Sequence, residues 1–440
     1  MVVESLFSSL IASWEVTTLG EACIRSGGNI QTGPFGSQLH ASDYVPFGIP
    51  SIMPQNIGDN RVFTEGIARI TPEDAARLSR YLVQTGDIVY SRRGDVERRA
   101  LIRAEEDGWL CGTGCLRVRF GNSEVDPFYA SYYLGHPSVR GWIVRHAVGA
   151  TMPNLNTSIL SALPFVIPPL PEQKAIAHIL GTLDDKIELN REMNQTLEAM
   201  ARAIFKSWFV DFDPVRAKME GRQPAGMDAA TAELFPDEFE ESALGIIPKG
   251  WKQVSLGDVL KIYDSKRIPL SSRERAQRQG NYPYYGAASV MDYVDDYLFE
   301  GVYVLMGEDG SVIDDDDHPI LQYVWGKFWV NNHAHVLQGA NDISSEHLML
   351  FLKQTNIRPY VTGAVQPKLN QGNLFRIPFL LPSSQISVVF GSELSRFYAL
   401  FRSNCEQSRS LASIRDTLLP KLLSGEIRVK EAEKIAAKAM

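Results

Sequence analysis

Arginine supplies most of the chemistry in the first part of this 440-residue chain. Fourteen arginines and no lysine lie between Met1 and Gln173. A guanidinium is planar, always charged, and makes paired hydrogen bonds to phosphates and to guanine edges. A GC-rich genome gives the same bias through its codons, but the later lysines weigh against that explanation. The net charge of −8 argues against a generally basic nucleic-acid binder. The residues of an independent enzyme are missing. There is no GxxxxGK[ST] phosphate loop and no Asn-Pro-Pro-Tyr or Asp-Pro-Pro-Tyr tetrad of an amino-methyltransferase. Asp126-Pro127-Phe128-Tyr129 has one proline and reads as a helix start, and Pro236-Asp237 has no convincing Glu-x-Lys after it to make a nuclease centre. Cys111 and Cys115 lack a second Cys or His pair at finger spacing, so no metal is expected there.

These residues sit in two modules that open alike. Trp14-Glu15-Val16-Thr17-Thr18-Leu19-Gly20-Glu21 matches Trp251-Lys252-Gln253-Val254-Ser255-Leu256-Gly257-Asp258. Short β-type runs follow: Asp87 to Ser91 and Cys115 to Phe120, then Val302 to Met306 and Phe328 to Leu337. Gly33-Pro34, Gly94-Asp95, Gly112 and Asp309-Gly310 punctuate them as turns. Helical patches, Asp126 to Leu134 and Ser345 to Gln354, are interspersed. The pattern predicts an α+β protein of two mixed α/β modules, not a doubly wound sheet. Each module ends in a proline-punctuated strand, Leu163 to Pro171 and Arg376 to Pro382, with a helix starting just after it.

A repeat at an offset of 214 closes the modules. Gly149, Ala150, Pro153, Leu155 and Asn156 recur as Gly363, Ala364, Pro367, Leu369 and Asn370. Pro164 and Pro168 recur as Pro378 and Pro382. A row stepped by fours and threes then runs Ile176, Leu180, Leu183, Ile187, Asn190, Asn194, Leu197, Ala201, Ile204, Trp208. The same offset gives Phe390, Leu394, Phe397, Phe401, Asn404, Ser408, Leu411, Arg415, Leu418, Leu422. This is the a/d spacing of a coiled-coil seam. The first seam is about 48 Å long at 1.5 Å per residue, and Pro420 is expected to kink or stop the second helix. Long helices with one apolar stripe need a partner, and each is the other's nearest. Packed antiparallel, they bring Asn190, Asn194, Asn404 and Ser408 into one central polar layer and place the modules at opposite ends. Any offset buries amides against leucine at about 1–3 kcal/mol each, so the layer fixes register.

The expected division is 1–168 for the first module, 169–212 for the first helix, 213–245 for a linker, 246–382 for the second module, 383–428 for the second helix and 429–440 for a tail. Met1-Val2-Val3-Glu4 lacks the basic start of a signal peptide, and no apolar run of about 18 residues exists to span a membrane. Four scattered cysteines suit a reducing cytoplasm.

Leu163-Pro164-x-x-x-Pro168-Pro169-Leu170-x-Glu172-Gln173, followed by Leu183-Asp184-x-Lys186-Ile187, resembles the central conserved region of specificity subunits of type I restriction-modification systems. So does Gly181 onward through Phe205-Lys206-Ser207-Trp208-Phe209-Val210-Asp211-Phe212. The Gly-Ala-x-x-Pro-x-Leu-Asn repeat resembles the closing motif of that family's target recognition domains. Leu418-Leu419-Pro420-Lys421-Leu422-Leu423-Ser424-Gly425-Glu426-Ile427 resembles its C-terminal signature. The match covers nearly the whole chain in the family's order. The resemblance implies a subunit without a catalytic centre. Each recognition domain reads one half of a split double-stranded DNA target, and the paired helices act as a ruler between the halves. The helices also dock two DNA adenine methyltransferase subunits, and motor-endonuclease subunits complete the complex. S-adenosylmethionine, ATP and Mg then belong to those partners, and no cofactor to this chain.

On that reading, DNA contacts come from polar loops beside strands. Val89-Tyr90-Ser91-Arg92-Arg93-Gly94 offers Ser91, Arg92 and Arg93, the arginines suited to guanine. Its counterpart at an offset of 215, Val304 to Ser311, offers Glu308 and Asp309 as acceptors for cytosine N4, with Ser311 beside them. Ser37, Gln38, Arg117, Arg119, Tyr284, Tyr285, Asn331, Asn332 and His333 are further candidates. Arg92, Arg93, Glu308 and Asp309 could instead be exposed turn charges or phosphate clamps, and Tyr284 and Tyr285 could be core. On one strand His333 and His335 share a face; a metal there needs more ligands, so a structural or DNA-facing role is expected. Asp314 to Asp317 read as a solvated loop. The alternative to DNA recognition is a non-catalytic coiled-coil scaffold with two protein-interaction heads.

Overall fold

The computed structural model describes residues 14–121, 124–149, 151–243, 245–363 and 366–438. Met1 to Glu4 and the repeat alanines Ala150 and Ala364 lie outside the described residues. Two compact units result: 1–189 with 407–440, and 190–406. Each holds one module and half of each of two long helices, Leu170–Phe209 and Ser384–Ser424.

In the first unit the opening strand Glu15–Thr18 pairs antiparallel with the closing strand Pro164–Ile167. In the second, Lys252–Ser255 pairs the same way with Pro378–Leu381. The next residue extends the zipper identically: Leu19 N–H donates to the Leu163 carbonyl and Leu256 N–H to that of Ile377, each at 2.8 Å. The glycine that follows is a packing requirement. A Cβ on Gly20 would lie 2.7 Å from Ser161 Cβ, and one on Gly257 2.9 Å from Phe375 Cβ. Ser161 and Phe375 belong to the short helices Thr157–Ser161 and Gln371–Phe375, capped by Asn156 and Asn370 of the repeat. The Leu-Gly openings and the Leu-Asn closings therefore match because they pack on one another.

The sheets inside the modules differ. The first module has a five-stranded sheet in the order Asn29–Thr32, Cys115–Arg119, Ile88–Ser91, Arg99–Leu101, Asp59–Asn60, and a smaller four-stranded one. The second has six strands in the order Leu260–Ile262, Ala334–Gly339, Phe299–Gly307, Leu321–Val330, Gln279–Tyr285, Val290–Val294. Asp126 caps the helix Pro127–Gly135, as its Asp-Pro start predicts. Tyr129 and Tyr133 of that helix are buried against Phe165, and their hydroxyls donate to the carbonyls of Val166 and Pro164, each at 2.9 Å. The run Phe328 to Leu337 is two strands, not one. Asn331 Oδ1 accepts from His333 N–H at 2.8 Å, and this side-chain turn breaks the run.

The two long helices pack antiparallel within each unit. In the first, Ile176, Leu180 and Leu183 share a core with Leu411, Leu418 and Leu422. In the second, Ala201, Phe205 and Trp208 meet Phe390 and Leu394. Pro420 lies inside its helix, which continues to Ser424. A proline removes one intrahelical bond, and here only four residues of helix remain beyond it. The expected linker and tail both fold back. Helix Asp213–Met219 buries Val215 and Ala217, and helix Val429–Ala437 buries Ala432 and Ala436. Positive φ at Phe212 (55°) and Gly425 (74°) turns the chain after each long helix.

Three of the four expected polar-layer residues meet in the second unit. Asn404 Nδ2 donates to Asn194 Oδ1 at 2.9 Å, and Asn190 Nδ2 reaches the Asn404 carbonyl at 3.4 Å. Asn194 Nδ2 faces the Phe401 carbonyl at 3.3 Å and Cys405 Sγ at 3.2 Å. Ser408 is half-buried in the first unit. Truncating Asn404 removes the donor to the half-buried Asn194 Oδ1, while Asn190 keeps the backbone carbonyl of residue 404. Asn404→Ala should therefore lower the free energy of unfolding by about 1–3 kcal/mol in a urea titration; an unchanged midpoint would contradict the layer's role.

Candidate nucleic-acid interface

The repeat Gly-Ala-x-x-Pro-x-Leu-Asn is a clasp on the loop singled out for DNA contact. Arg92 is the first residue beyond strand Ile88–Ser91, and Glu308 the first beyond strand Phe299–Gly307. Leu155 N–H donates to the Arg92 carbonyl at 2.8 Å, and Leu369 N–H to that of Glu308 at 2.9 Å. Gly94 N–H reaches the Pro153 carbonyl, and Gly310 N–H that of Pro367, both at 3.2 Å. From the other side, Arg92 N–H donates to the Gly114 carbonyl and Glu308 N–H to that of His333, both at 2.8 Å. Each clasp is closed by its own bridge, Val148 to Asn154 and Thr362 to Lys368. Gly149 (φ 119°) and Gly363 (φ 86°) make the turn, where a Cβ would approach the carbonyl oxygens of Met152 and Gln366 to 2.5 and 2.3 Å. These bonds pair Arg92 with Glu308, Arg93 with Asp309 and Gly94 with Gly310. The structural offset is thus 216, one more than the sequence suggests.

The expected contact residues divide into exposed and internal sets. Arg93 and Ser37 are exposed. Arg92 is half-buried over the Phe35 ring, 5.9 Å from its centroid, and its buried Nε has no hydrogen-bond partner among the described residues. Ser91 is buried and donates to the Arg93 carbonyl at 2.8 Å. Arg117 is buried, with its Nη atoms on the Arg80 and Leu82 carbonyls, Asn29 and Gln31. Arg119 grips Asp87 through Nε at 2.7 Å and Nη2 at 2.5 Å. These two side chains tie strands to loops and leave little to offer a ligand. Gln38 Oε1 accepts from Phe35 N–H and the Tyr81 hydroxyl, which makes it a turn brace. Cys111 and Cys115 are core thiols; burial pushes Cys111 up to about 12 and Cys115 well above its ordinary value, which disfavours the thiolate a metal needs.

In the second module Tyr284 is core, its hydroxyl accepting from Leu270 N–H at 2.9 Å, and Tyr285 is half-buried on Phe328. Asn331 is buried, whereas Ser311, Asn332 and His333 are exposed. His333 Nδ1 lies 2.5 Å from Asp309 Oδ1. His333 and His335 do not share a face, because the strand begins only at Ala334. His335 is fully buried, with Nδ1 at 2.6 Å from Asp264 and Nε2 at 2.8 Å from the Leu369 carbonyl. It ties the floor of the sheet to the clasp. Glu308 is held by Arg267 at 2.8 Å, with Lys368 3.7 Å away. Asp264, Glu308 and His335 have the donor types of a metal site, within 4.8 Å of one another. Arg267, however, already places a cation against both carboxylates, 3.3 Å from Asp264. Sequence reasoning missed Arg267, Phe35, and the clasp pair Asn154 and Lys368. Those last two occupy corresponding places beside the invariant Pro and Leu of the repeat, which was the available signal.

Each unit thus holds one module that clasps a polar loop, with part of both long helices beside it. A model described as type I restriction modification DNA specificity domain matches residues 12–199 and 248–410, one module and much of one helix each time. The chain belongs to this family, whose specificity subunits are non-catalytic. It is 26% identical to the type I restriction enzyme HindI specificity subunit of Haemophilus influenzae, over 86% of this chain and 95% of the relative. It is 27% identical to the MjaIX specificity subunit of Methanocaldococcus jannaschii, over 87% and 88%. The fold resembles the S subunit crystal structure from M. genitalium, with a TM-score of 0.55, 18% identity, and coverage of 93% of this chain and 96% of that one.

Burial alone would raise Asp264, but hydrogen bonds from His335, Val336 N–H and Gln371 outweigh it and hold its carboxyl below the ordinary range. A lowered folded-state value contributes stability above the unfolded pKa of about 3.9, and that contribution is lost as pH falls through the folded value. Stepped-pH urea titrations should show the wild type losing more stability than Asp264→Asn on the acid side of about pH 5. Parallel acid limbs would contradict the assignment.

Proposed function

We propose that each module reads one half of a bipartite double-stranded DNA target through its clasped loop, and that the two helices set the gap between the halves. The observation that carries this reading is the shared clasp with opposite chemistry at its tip. The first module presents Arg92 and Arg93, the second Glu308 and Asp309, with the same backbone bonds behind them. A fixed backbone with exchangeable side chains is what a family that reads many sequences needs. Arg93, Arg92 and Ser37 face the first half-site; Asp309, His333, Asn332 and Ser311 face the second. Arg93 suits guanine O6 and N7, whereas the Asp309–His333 pair offers an acceptor and a ring nitrogen.

The partners in this reading are two DNA adenine methyltransferase subunits docked on the helices and motor-endonuclease subunits, which carry S-adenosylmethionine, ATP and Mg. They also share the electrostatic load on DNA, which the chain's net charge of −8 leaves to them. The cytoplasm is the expected setting, and no described helix is long and apolar enough to cross a membrane. Base-resolved mapping of methylated adenines, in cells carrying this chain and its methyltransferase partner, should give two short halves around a fixed gap. Arg93→Ala should relax the first half alone and Asp309→Ala the second alone, each by about 1–3 kcal/mol of discrimination. A soluble assembly that creates no motif would favour the scaffold instead.

A further inference from the structure

Each unit contains a second polar device, away from its clasp. In the first, the Tyr132 hydroxyl donates to Asp184 Oδ2 at 2.7 Å and Arg415 Nη1 donates to Asp184 Oδ1 at 2.6 Å. Tyr132 lies on module helix Pro127–Gly135, Asp184 on the first long helix and Arg415 on the second. One carboxylate, 12% exposed, thus joins three elements. In the second unit, the Tyr323 hydroxyl donates to Glu346 Oε1 at 2.8 Å, and Arg402 of the second long helix donates to that hydroxyl and lies 3.6 Å from Glu346. Tyr323 and Glu346 both belong to the module. The arrangement recurs, but the acid has moved from the helix to the module.

Other polar links join modules to helices. The buried Gln173 binds Asp126 N–H and the Glu124 carbonyl near the start of the first helix, and Arg61 meets Glu188 at 2.5 Å with both about a quarter exposed. The remaining charged pairs are longer or more exposed. They include Arg103 to Asp185 at 3.5 Å in the first unit and Lys353 to Glu198 at 3.4 Å in the second. Such pairs restrain orientation weakly. Apolar burial is non-directional and tolerates small rotations. Charge-assisted hydrogen bonds, to a mostly buried carboxylate in the first unit and from Arg402 to the carboxylate-bound phenol in the second, have strict distance and angle demands. Burial and the adjacent carboxylates raise both phenols well above their ordinary value, so each keeps the proton it donates.

We propose that these two tyrosine–carboxylate–arginine triads are positioning devices that fix each module's orientation on the helix pair, and so select the gap between the two halves of the DNA target. This rests on the bipartite reading above. Loss of stability would lower methylation at all sites together, whereas loss of orientation would change which gaps are accepted. The test is methylation mapping with the full chain and its methyltransferase partner, for wild type, Tyr132→Phe and Tyr323→Phe. Both half-site sequences should persist, while sites with a gap one base pair off the wild-type value gain methylation about tenfold, relative to wild-type-gap sites, as expected when one charge-assisted bond is lost. Should either phenylalanine variant fail to accumulate, Arg415→Lys and Arg402→Lys keep the charge without the fork and answer the same question. Unchanged gap selectivity in variants that still methylate would overturn the inference and leave the bipartite reading standing. A wild-type map without a split motif would overturn both.

Discussion

A backbone hydrogen bond made twice organises this molecule: the N–H of a buried leucine, Leu155 or Leu369, to the carbonyl of the first residue beyond a central strand, Arg92 or Glu308. A loop that must present side chains to a ligand cannot spend those side chains on holding its own shape. The clasp eases that conflict with main-chain bonds shared by both modules. The glycine at its turn, the proline carbonyl behind the loop glycine, and the asparagine capping the next helix each have one geometric duty. The clasp residues are therefore alike in the two modules, while the residues they present are opposite in charge.

The other elements hold the clasps in place. The opening strand zips to the closing strand, and the Leu-Gly pair packs on the helix that follows the clasp. Tyr129 and Tyr133, through their hydroxyls, fix the first closing strand to the module core, and that strand leads into the first long helix. A movement of either clasp would thus disturb a buried path that ends on the helices. The sheets between these fixed points are free to differ, and they do, in strand number and order.

Much of this architecture was legible as sequence because it is repeated and periodic. The matched openings, the closing motif and the two seams each need particular residue types at fixed spacing, so one chain compared with itself reveals them. What was not legible depends on contacts distant in sequence. Arg117 looks like a DNA-facing arginine until Asn29, Gln31 and two carbonyls surround it. His333 and His335 look equivalent until an asparagine side chain holds His333 in the turn that precedes the strand carrying His335. The loop register is one residue off the sequence offset because distant backbone bonds, from Leu155 and Leu369, define which loop residues correspond. The helices of the linker and tail were missed because each is short and only one face of it is buried. Pro420 does not stop the second helix, which runs four residues past it to Ser424.

Reading a split DNA target in the proposed way requires that the clasped loops touch base edges. A structure of the complete methyltransferase assembly on its mapped DNA target would test it directly. The prediction is that the Arg93 and Asp309 side chains both lie within hydrogen-bonding distance of bases in the two half-sites, with the clasp bonds of Leu155 and Leu369 intact. Loops left in solvent, with the bases read by other segments, would contradict it.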